Sequence, residues 1–203
     1  ISLVDIGPGE VFSRKRLTGL TQKIIDRLGE EGYANASVNP VPEKDIDEFK
    51  IGFTLYVNSG QRVYVRRINI NGNSDTKDEV IRRELRQMEG SWYSVKDINR
   101  SKQRLDLLGF FSEVTINTTP VPGTADQVDL EVKVVERMTG SFSIGVGFSS
   151  ADRLLLQLSM AQSNFLGTGN SVNLVASTGK VNETYELGFT DPYATDDGVS
   201  RTY

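Results

Sequence analysis

Residues equipped for chemistry are few in this chain. Its 203 residues include no histidine and no cysteine. That removes the commonest general base, the thiolate nucleophile and the usual zinc ligands. Two glycine-rich runs, "GVGFSS" and "GTGNSV", look faintly like phosphate loops. A dinucleotide fingerprint, however, needs three glycines opening a helix, and a nucleotide loop needs Gly-Lys-Ser/Thr. Neither pattern is present, and strand-like sequence follows both runs. The carboxylate pair Asp196-Asp197 sits in a turn and reads as solvated. The expectation is a protein that is not an enzyme and uses no cofactor or metal.

What remains is the chemistry of contact. In "RRELRQMEGSWY", Arg82, Arg83, Arg86 and Glu89 precede Trp92, the only tryptophan. Such runs are usually solvated helix faces with weak ion pairs, although arginine mixed with aromatics is favoured at protein interfaces. In "SEVTINTT", Glu113, Thr115, Asn117 and Thr119 keep one side polar while Val114 and Ile116 face the other way. A polar-sided strand of this kind either completes a sheet or offers an edge to an extended peptide. In "GSFSIGVGFSS", Phe142, Ile144, Val146 and Phe148 alternate with Ser143, Gly145, Gly147 and Ser149. This strand has large apolar groups on one face and almost no side chain on the other.

The elements that carry these residues divide into two parts. From Gly140 onward there are three basic and six acidic residues, against 20 and 21 before it. A change of solvent from water to membrane would explain the drop, and so would a soluble β-domain. The net charge of −4 argues against a general nucleic-acid binder. No apolar run is long enough for a transmembrane helix. A start at "ISLVDIGPGE" looks like a processed or excised fragment.

Residues 63–136 read as β-α-α-β-β. "VYVRRINING" is a strand with Val63, Val65, Ile68 and Ile70, ending at the Asn71-Gly72 turn. Thr76 and Glu79 have capping-box spacing before "KDEVIRRELRQM", where Val80, Ile81, Leu85 and Met88 form an apolar stripe. A second helix spans about 95–108, with Val95, Ile98, Leu105 and Leu108 inward and Gly109 as its stop. "FFSEVTINTTP" and "VDLEVKVVE" are strands. The preceding segment repeats the second half of this unit: Phe12-Ser13 matches Tyr93-Ser94, Gly32-Tyr33 matches Gly109-Phe110, and Pro42 matches Pro122. Ile51, Phe53, Leu55 and Val57 fall over Val128, Leu130, Val132 and Val134. The first copy lacks an opening strand and most of a first helix, so exposed apolar surface is expected on it.

After Gly140 come four alternating segments and the start of a fifth at "VSRTY". Leu154, Leu156, Leu158 and Met160 share one face of the second; Val172, Leu174 and Ala176 of the third; Tyr185, Leu187 and Phe189 of the fourth. Leu155 and Val175 are exceptions. Polar positions here are Ser, Asn, Gln and Gly, which favours an outer-membrane barrel over a β-sandwich. Phe165, Tyr193 and Tyr203 suit an interfacial girdle, and "GTGN" and "TDDG" suit short turns. Four strands and a stub cannot close a barrel.

The βααββ repeat, with "GYANASV" and "GFFSEVT" after its second helix, resembles the POTRA domain. "ERMTGSFSIGVGFSS", "QSNFLGTGNSVNL" and "GNSDTKDEVIRRELRQMEGSWYS" resemble the POTRA-plus-barrel superfamily of outer-membrane protein assembly factors. The resemblance implies an α+β fold of POTRA repeats, each a three-stranded sheet with two helices, followed by antiparallel strands of a transmembrane β-barrel. It divides the chain into a truncated repeat (1–60), a complete barrel-proximal repeat (61–139) and the opening barrel strands (140–203). It implies a place in the outer membrane of a Gram-negative bacterium, with the repeats in the periplasm. The implied partners are accessory outer-membrane lipoproteins, unfolded outer-membrane protein clients and outer-membrane lipid, with no nucleic acid. Arg82, Arg86, Glu89 and Trp92 become the candidate lipoprotein contact. Glu113, Val114, Thr115, Ile116 and Asn117 become a client edge strand, and the segment Phe142–Phe148 a lateral gate. A two-partner secretion pore of the same superfamily and a soluble periplasmic scaffold are the alternatives.

Overall fold

The computed structural model describes residues 7, 9–45, 49–149, 153–180, 183–195 and 198–203. The Asp196-Asp197 pair lies outside them. Two compact units form, one from residues 1–69, 85–102 and 116–132, the other from 70–84, 103–115 and 133–203.

The paired serines of the duplicated motif are helix starts. In α1 (Arg14–Glu30) the Ser13 Oγ accepts from the Arg16 N–H. In α3 (Val95–Leu108) the Ser94 Oγ accepts from the Asp97 N–H at 3.2 Å. Each serine satisfies one of the amide donors that a helix N-terminus leaves without an internal partner. The paired Gly-aromatic steps are helix stops. Gly32 adopts φ +100°, and the Tyr33 N–H turns back to the Leu28 carbonyl at 3.1 Å, closing a Schellman motif. Gly109, at φ +70°, ends α3 in the same left-handed conformation.

The strands β1 (Ser37–Asp45) and β2 (Lys50–Asn58) form an antiparallel pair. In the second repeat, β3 (Tyr64–Asn71), β4 (Phe111–Pro120) and β5 (Gln127–Glu136) form a three-stranded sheet in the order β3-β5-β4. Val128, Leu130, Val132 and Val134 of the central strand are all buried. Their counterparts in β2 are not: Ile51 and Val57 are exposed, and Phe53 and Leu55 are half-buried. The two-stranded sheet gives β2 one neighbour where β5 has two, so its apolar side chains are less covered.

The first helix of the second repeat departs from its sequence pattern. α2 covers only Asp78–Arg82, and Lys77, not Thr76, stands at its N-cap with no side-chain cap bond. The stretch beyond it is claimed by other partners. The Val65 N–H donates to the Ser91 carbonyl, and the Gly90 and Tyr93 N–H groups donate to Val65 and Val63. Residues 90–93 therefore pair along β3 and cannot continue a helix. Two buried polar side chains close the intervening turn. Ser101 Oγ accepts from the Arg86 N–H at 2.7 Å and donates to the Asp97 carbonyl. Gln87 donates through Nε2 to the Trp92 carbonyl at 2.9 Å, and its Oε1 accepts from the Ser94 N–H at 2.8 Å. Val80, Ile81 and Leu85 are buried as the pattern predicts, but Met88 is turned out to solvent.

The last part is one antiparallel sheet in the order β10-β9-β8-β7-β6. Its strands are β6 (Gly140–Ser149), β7 (Arg153–Gln162), β8 (Ser171–Thr178), β9 (Glu183–Asp191) and β10 (Arg201–Thr202). Register aligns the apolar positions across it. Phe142 faces Met160, Ile144 faces Leu158, Val146 faces Leu156 and Phe148 faces Leu154. Met160 then faces Leu174, which faces Leu187. Because side chains alternate with period two, this register gathers the large apolar groups on one face, with Leu155 opposite Gly147 and Val175 opposite Ser159 on the other. Phe142, Ile144, Val146, Leu156, Met160 and Leu187 all remain exposed.

Removing the Ser101 hydroxyl leaves the Arg86 amide without its acceptor. Ser101→Ala is expected to lower stability by about 1–3 kcal/mol, the usual cost of a buried orphaned donor. A denaturant midpoint unchanged from the parent would contradict this account of the turn.

Candidate client and membrane interface

The predicted contact residues of the second repeat are largely occupied in holding it together. Arg82 pairs with Asp78 one helical turn earlier, Nε to Oδ2 at 2.7 Å. Glu89 Oε1 accepts from the Ile68 N–H at 2.7 Å. Trp92 stacks on Tyr64 with ring centroids 4.7 Å apart and carries the Arg62 guanidinium 5.6 Å from its ring centre. Half of the Trp92 surface stays exposed, and Arg86 is exposed. The exposed Arg82–Asp78 ion pair contributes little to stability.

Two strands lie at the ends of their sheets. β4, which carries the segment Glu113–Asn117, is at one end of the three-stranded order, with Val114 buried and Glu113 and Asn117 exposed. β6 is at one end of the five-stranded order. On its small-residue face, Ser143 and Ser159 hydroxyls are hydrogen-bonded at 2.6 Å. A Cβ at Gly145 would make only ordinary contact with Gln157, and one at Gly147 would meet nothing. The absence of side chains on this face is therefore not forced by crowding.

A third feature escaped the sequence pattern: the turn between β7 and β8. "NFLGTGN" is a docked element, not the simple hairpin turn its composition implies. Asn164 and Leu166 take left-handed conformations around a 3-10 turn at Phe165–Gly167. Asn164 Oδ1 accepts from the Gly169 N–H at 2.8 Å, fixing the turn internally. Asn164 Nδ2 donates to Thr76 Oγ1 at 2.8 Å, and the Gly167 carbonyl accepts from the Lys77 N–H at 2.9 Å. The threonine expected to cap α2 serves this turn instead. A Cβ at Gly167 would fall on the Asp75 carbonyl oxygen, so only glycine fits there.

The same segment is gripped from its other side by Glu136. Its carboxylate accepts from the N–H groups of Ser74, Asp75 and Thr76 at 3.1, 3.0 and 2.7 Å. Partial burial pushes the Glu136 carboxyl up. Hydrogen bonds from Thr76 and the backbone amides outweigh it and hold the group below the usual carboxylate range.

Tyr193 also departs from expectation, being enclosed by charge where a membrane girdle was predicted. Its hydroxyl donates to Glu84 Oε1 at 2.7 Å and accepts from Arg104 Nη2 at 3.0 Å. Arg104 Nη2 also meets Glu84 Oε2 at 2.6 Å, and the Arg83 guanidinium lies 4.1 Å from the Tyr193 ring centre. Burial first, then the hydrogen bond to Glu84, pushes the Tyr193 hydroxyl up. Arg104 loses solvation but is held above its ordinary value by Glu84 and Tyr193. Neither Tyr193 nor Asn164 carried a local signal, since their partners lie 109 and 88 residues away.

Among the described residues no group of three or more His, Cys, Asp or Glu is arranged to hold a metal ion, and no helix is long and apolar enough to cross a membrane. A βααββ repeat joined to a meander that turns one apolar face outward defines a repeat-plus-barrel protein. The comparisons agree. The POTRA family, described as "Surface antigen variable number repeat", matches residues 1–60 and 63–137, and the Omp85 superfamily domain matches residues 164–203. The outer membrane protein assembly factor BamA of Neisseria meningitidis is 39% identical over 99% of this chain and 25% of its own length. BamA of Haemophilus ducreyi lacking POTRA domains 1–3 superposes with a TM-score of 0.85 at 37% identity, over 98% of this chain and 37% of that one. The POTRA3–5 structure of Haemophilus influenzae BamA gives 0.63 at 37% identity, over 64% of this chain and 52% of that one. The chain belongs to the BamA family of Omp85 proteins, outer-membrane proteins with periplasmic POTRA repeats. It spans about a quarter of the length of the curated relatives it matches.

The folded-state carboxyl of Glu136 titrates below its unfolded value, so its stabilising contribution is present above the ordinary carboxylate range and lost as pH falls through the lowered folded value. Hydrogen exchange at Ser74, Asp75 and Thr76 is expected to accelerate on acidification, after correction for intrinsic rates, and to be fast at neutral pH in Glu136→Gln. Tyr193→Phe is expected to cost about 1–3 kcal/mol by removing a donor from buried Glu84. Chemical denaturation measures it, and an unaltered midpoint would contradict the role.

Proposed function

We propose that this chain is the part of an outer-membrane assembly factor that receives unfolded clients in the periplasm and passes them to the membrane. The edge position of β6 and its nearly bare face carry the reading. Edge strands present backbone donors and acceptors that another strand can read without regard to side chains. A strand whose alternate residues are Ser143, Gly145 and Gly147 gives a neighbour little side-chain surface to pack against. A seam at this strand would hold its neighbour weakly and yield to an incoming one, so β6 would template client strands.

The repeats would act earlier on the same route. β4 is an edge strand, and Glu113, Thr115 and Asn117 keep its outward side polar, which suits addition of client segments of any sequence through Glu113–Asn117. The lipoprotein contact is assigned to Arg82, Arg86, Glu89 and Trp92. Of these, Arg86 and the open half of Trp92 offer the surface, while Glu89 holds the turn that presents them. The apolar face of β6–β9 would meet lipid. In hydrocarbon every strand must close into a barrel, which the full-length protein would supply.

Depletion of the full-length protein is expected to reduce folded outer-membrane proteins generally. Loss of one secreted partner alone would instead identify a dedicated pore. Gly145→Val and Gly147→Val are expected to slow client insertion while leaving the unfolding midpoint of the barrel little changed, because both sites have room for a side chain. Slower insertion accompanied by an equal or larger loss of barrel stability would count against exchange at this strand.

A further inference from the structure

The two repeats carry the same Pro-Val-Pro step, at residues 40–42 and 120–122. It falls at different places in the matching strands. β2 is the counterpart of the central strand β5, so its partner β1 is the counterpart of the edge strand β4. In β1 (Ser37–Asp45) the step lies in the middle, whereas in β4 (Phe111–Pro120) its first proline is the last residue. Spacing is the cause: Pro40 follows the helix stop Gly32 by eight residues, and Pro120 follows Gly109 by eleven. β4 thus runs from Phe111 to Thr119 without a proline, while β1 has only Ser37, Val38 and Asn39 before its first.

Proline has no amide hydrogen, and its ring fills the space into which that hydrogen would point. β1 pairs with β2 in unbroken register, from Ser37 opposite Asn58 to Asp45 opposite Lys50. Backbone groups alternate between the two sides of a strand, so Pro40 and Pro42 fall on the same side. Proline is accepted in a sheet where that side faces away from the neighbouring strand. The side of β1 turned away from β2 therefore lacks two donors at its centre and presents two rings instead. Beyond them Glu43, Lys44 and Asp45 set charge along the rest of the strand, which further opposes pairing. Along Phe111–Thr119 only Glu113 is charged, and every residue has its amide hydrogen. The outer side of β3 is already taken. Its Val65 N–H donates to the Ser91 carbonyl at 3.0 Å, and its Val65 and Val63 carbonyls accept from Gly90 and Tyr93 at 2.7 and 3.0 Å.

We propose that Pro40 and Pro42 close the first repeat to strand addition, so that an extended client segment is directed to β4 of the second repeat. The two prolines determine specificity without holding the client. They remove the competing edge, and excluding a wrong site sharpens selection as effectively as improving the right one. The matched edges of the duplicated unit are thereby made unequal by where one short motif falls along the strand. The inference rests on the reading of β4 as a client edge.

The test uses the full-length protein with a photo-crosslinking amino acid at Asn39 or at Asn117, exposed positions of β1 and β4. The probe is a urea-unfolded outer-membrane β-barrel protein diluted onto it. Crosslinks to the probe are expected from Asn117 and not from Asn39. In the double variant Pro40→Thr, Pro42→Thr, the yield at Asn39 is expected to rise to that at Asn117. Equal yields at the two positions in the parent overturn closure by the prolines and leave β4 as a client edge. No crosslink from Asn117 in the parent overturns the reading of β4 beneath the inference. A double variant that keeps the parent's unfolding midpoint and gains no crosslink at Asn39 also overturns the closure. Should that variant fail to fold, the comparison of Asn39 with Asn117 in the parent still decides.

Discussion

The segment 74–77 is held by two sets of hydrogen bonds that meet on it from different elements. Glu136, the last residue of the repeat's central strand, accepts three of its amides. The β7–β8 turn takes the next amide, Lys77, and the Thr76 hydroxyl. A carboxylate accepting several backbone donors is a strong anchor, and the glycine at 167 lets the turn approach at backbone distance. These few residues form one tie between the repeat's short first helix and the strands of the sheet. This explains why a compact unit of the fold comprises residues 70–84 together with the sheet strands, cutting across the repeat.

The ion cluster around Tyr193 adds a second tie between similar partners. Glu84 is almost fully buried, and a buried carboxylate is tolerated only when its acceptors are matched. Arg104 and Tyr193 do that together, while the Arg83 guanidinium covers the ring. Both ties use residues just before and after α2. The helix itself is five residues long and could not stand alone.

Local features of the fold were readable in the sequence, and features decided by distant partners were not. Ser13 and Ser94 were legible as matching positions, and the structure gives the reason: each caps a helix at the same place. Gly32 and Gly109 were legible because helix termination is a property of one glycine and its neighbours. The strands after Gly140 and the faces of their side chains were legible from alternation, whereas the pairing register came from the structure. By contrast, "KDEVIRRELRQM" has helical spacing to Met88, but residues 90–93 pair with β3 and overrule it. Thr76 and Glu79 have the spacing of a capping box, but Thr76 has a better partner in Asn164. Tyr193 looked like a membrane aromatic because nothing near it in sequence reveals Glu84. The weak sides of β4 and β6 were visible as composition, and their edge positions came from topology.

The docked turn has a consequence for the order in which the chain acquires its structure. Thr76 finds its partner 88 residues downstream, and Glu84 finds Tyr193 109 residues downstream. Contacts this distant form late, after the entropy of closing a long loop has been overcome. During synthesis and export the second repeat emerges before the strands that complete it. Its 74–84 segment therefore waits, held by Glu136, by the Glu84–Arg104 ion pair and by the burial of Val80 and Ile81, until the β7–β8 turn and the loop bearing Tyr193 arrive. The segment reaches its final shape only when the β7–β8 turn and the Tyr193 loop have folded, so that shape reports on the strands that bear them.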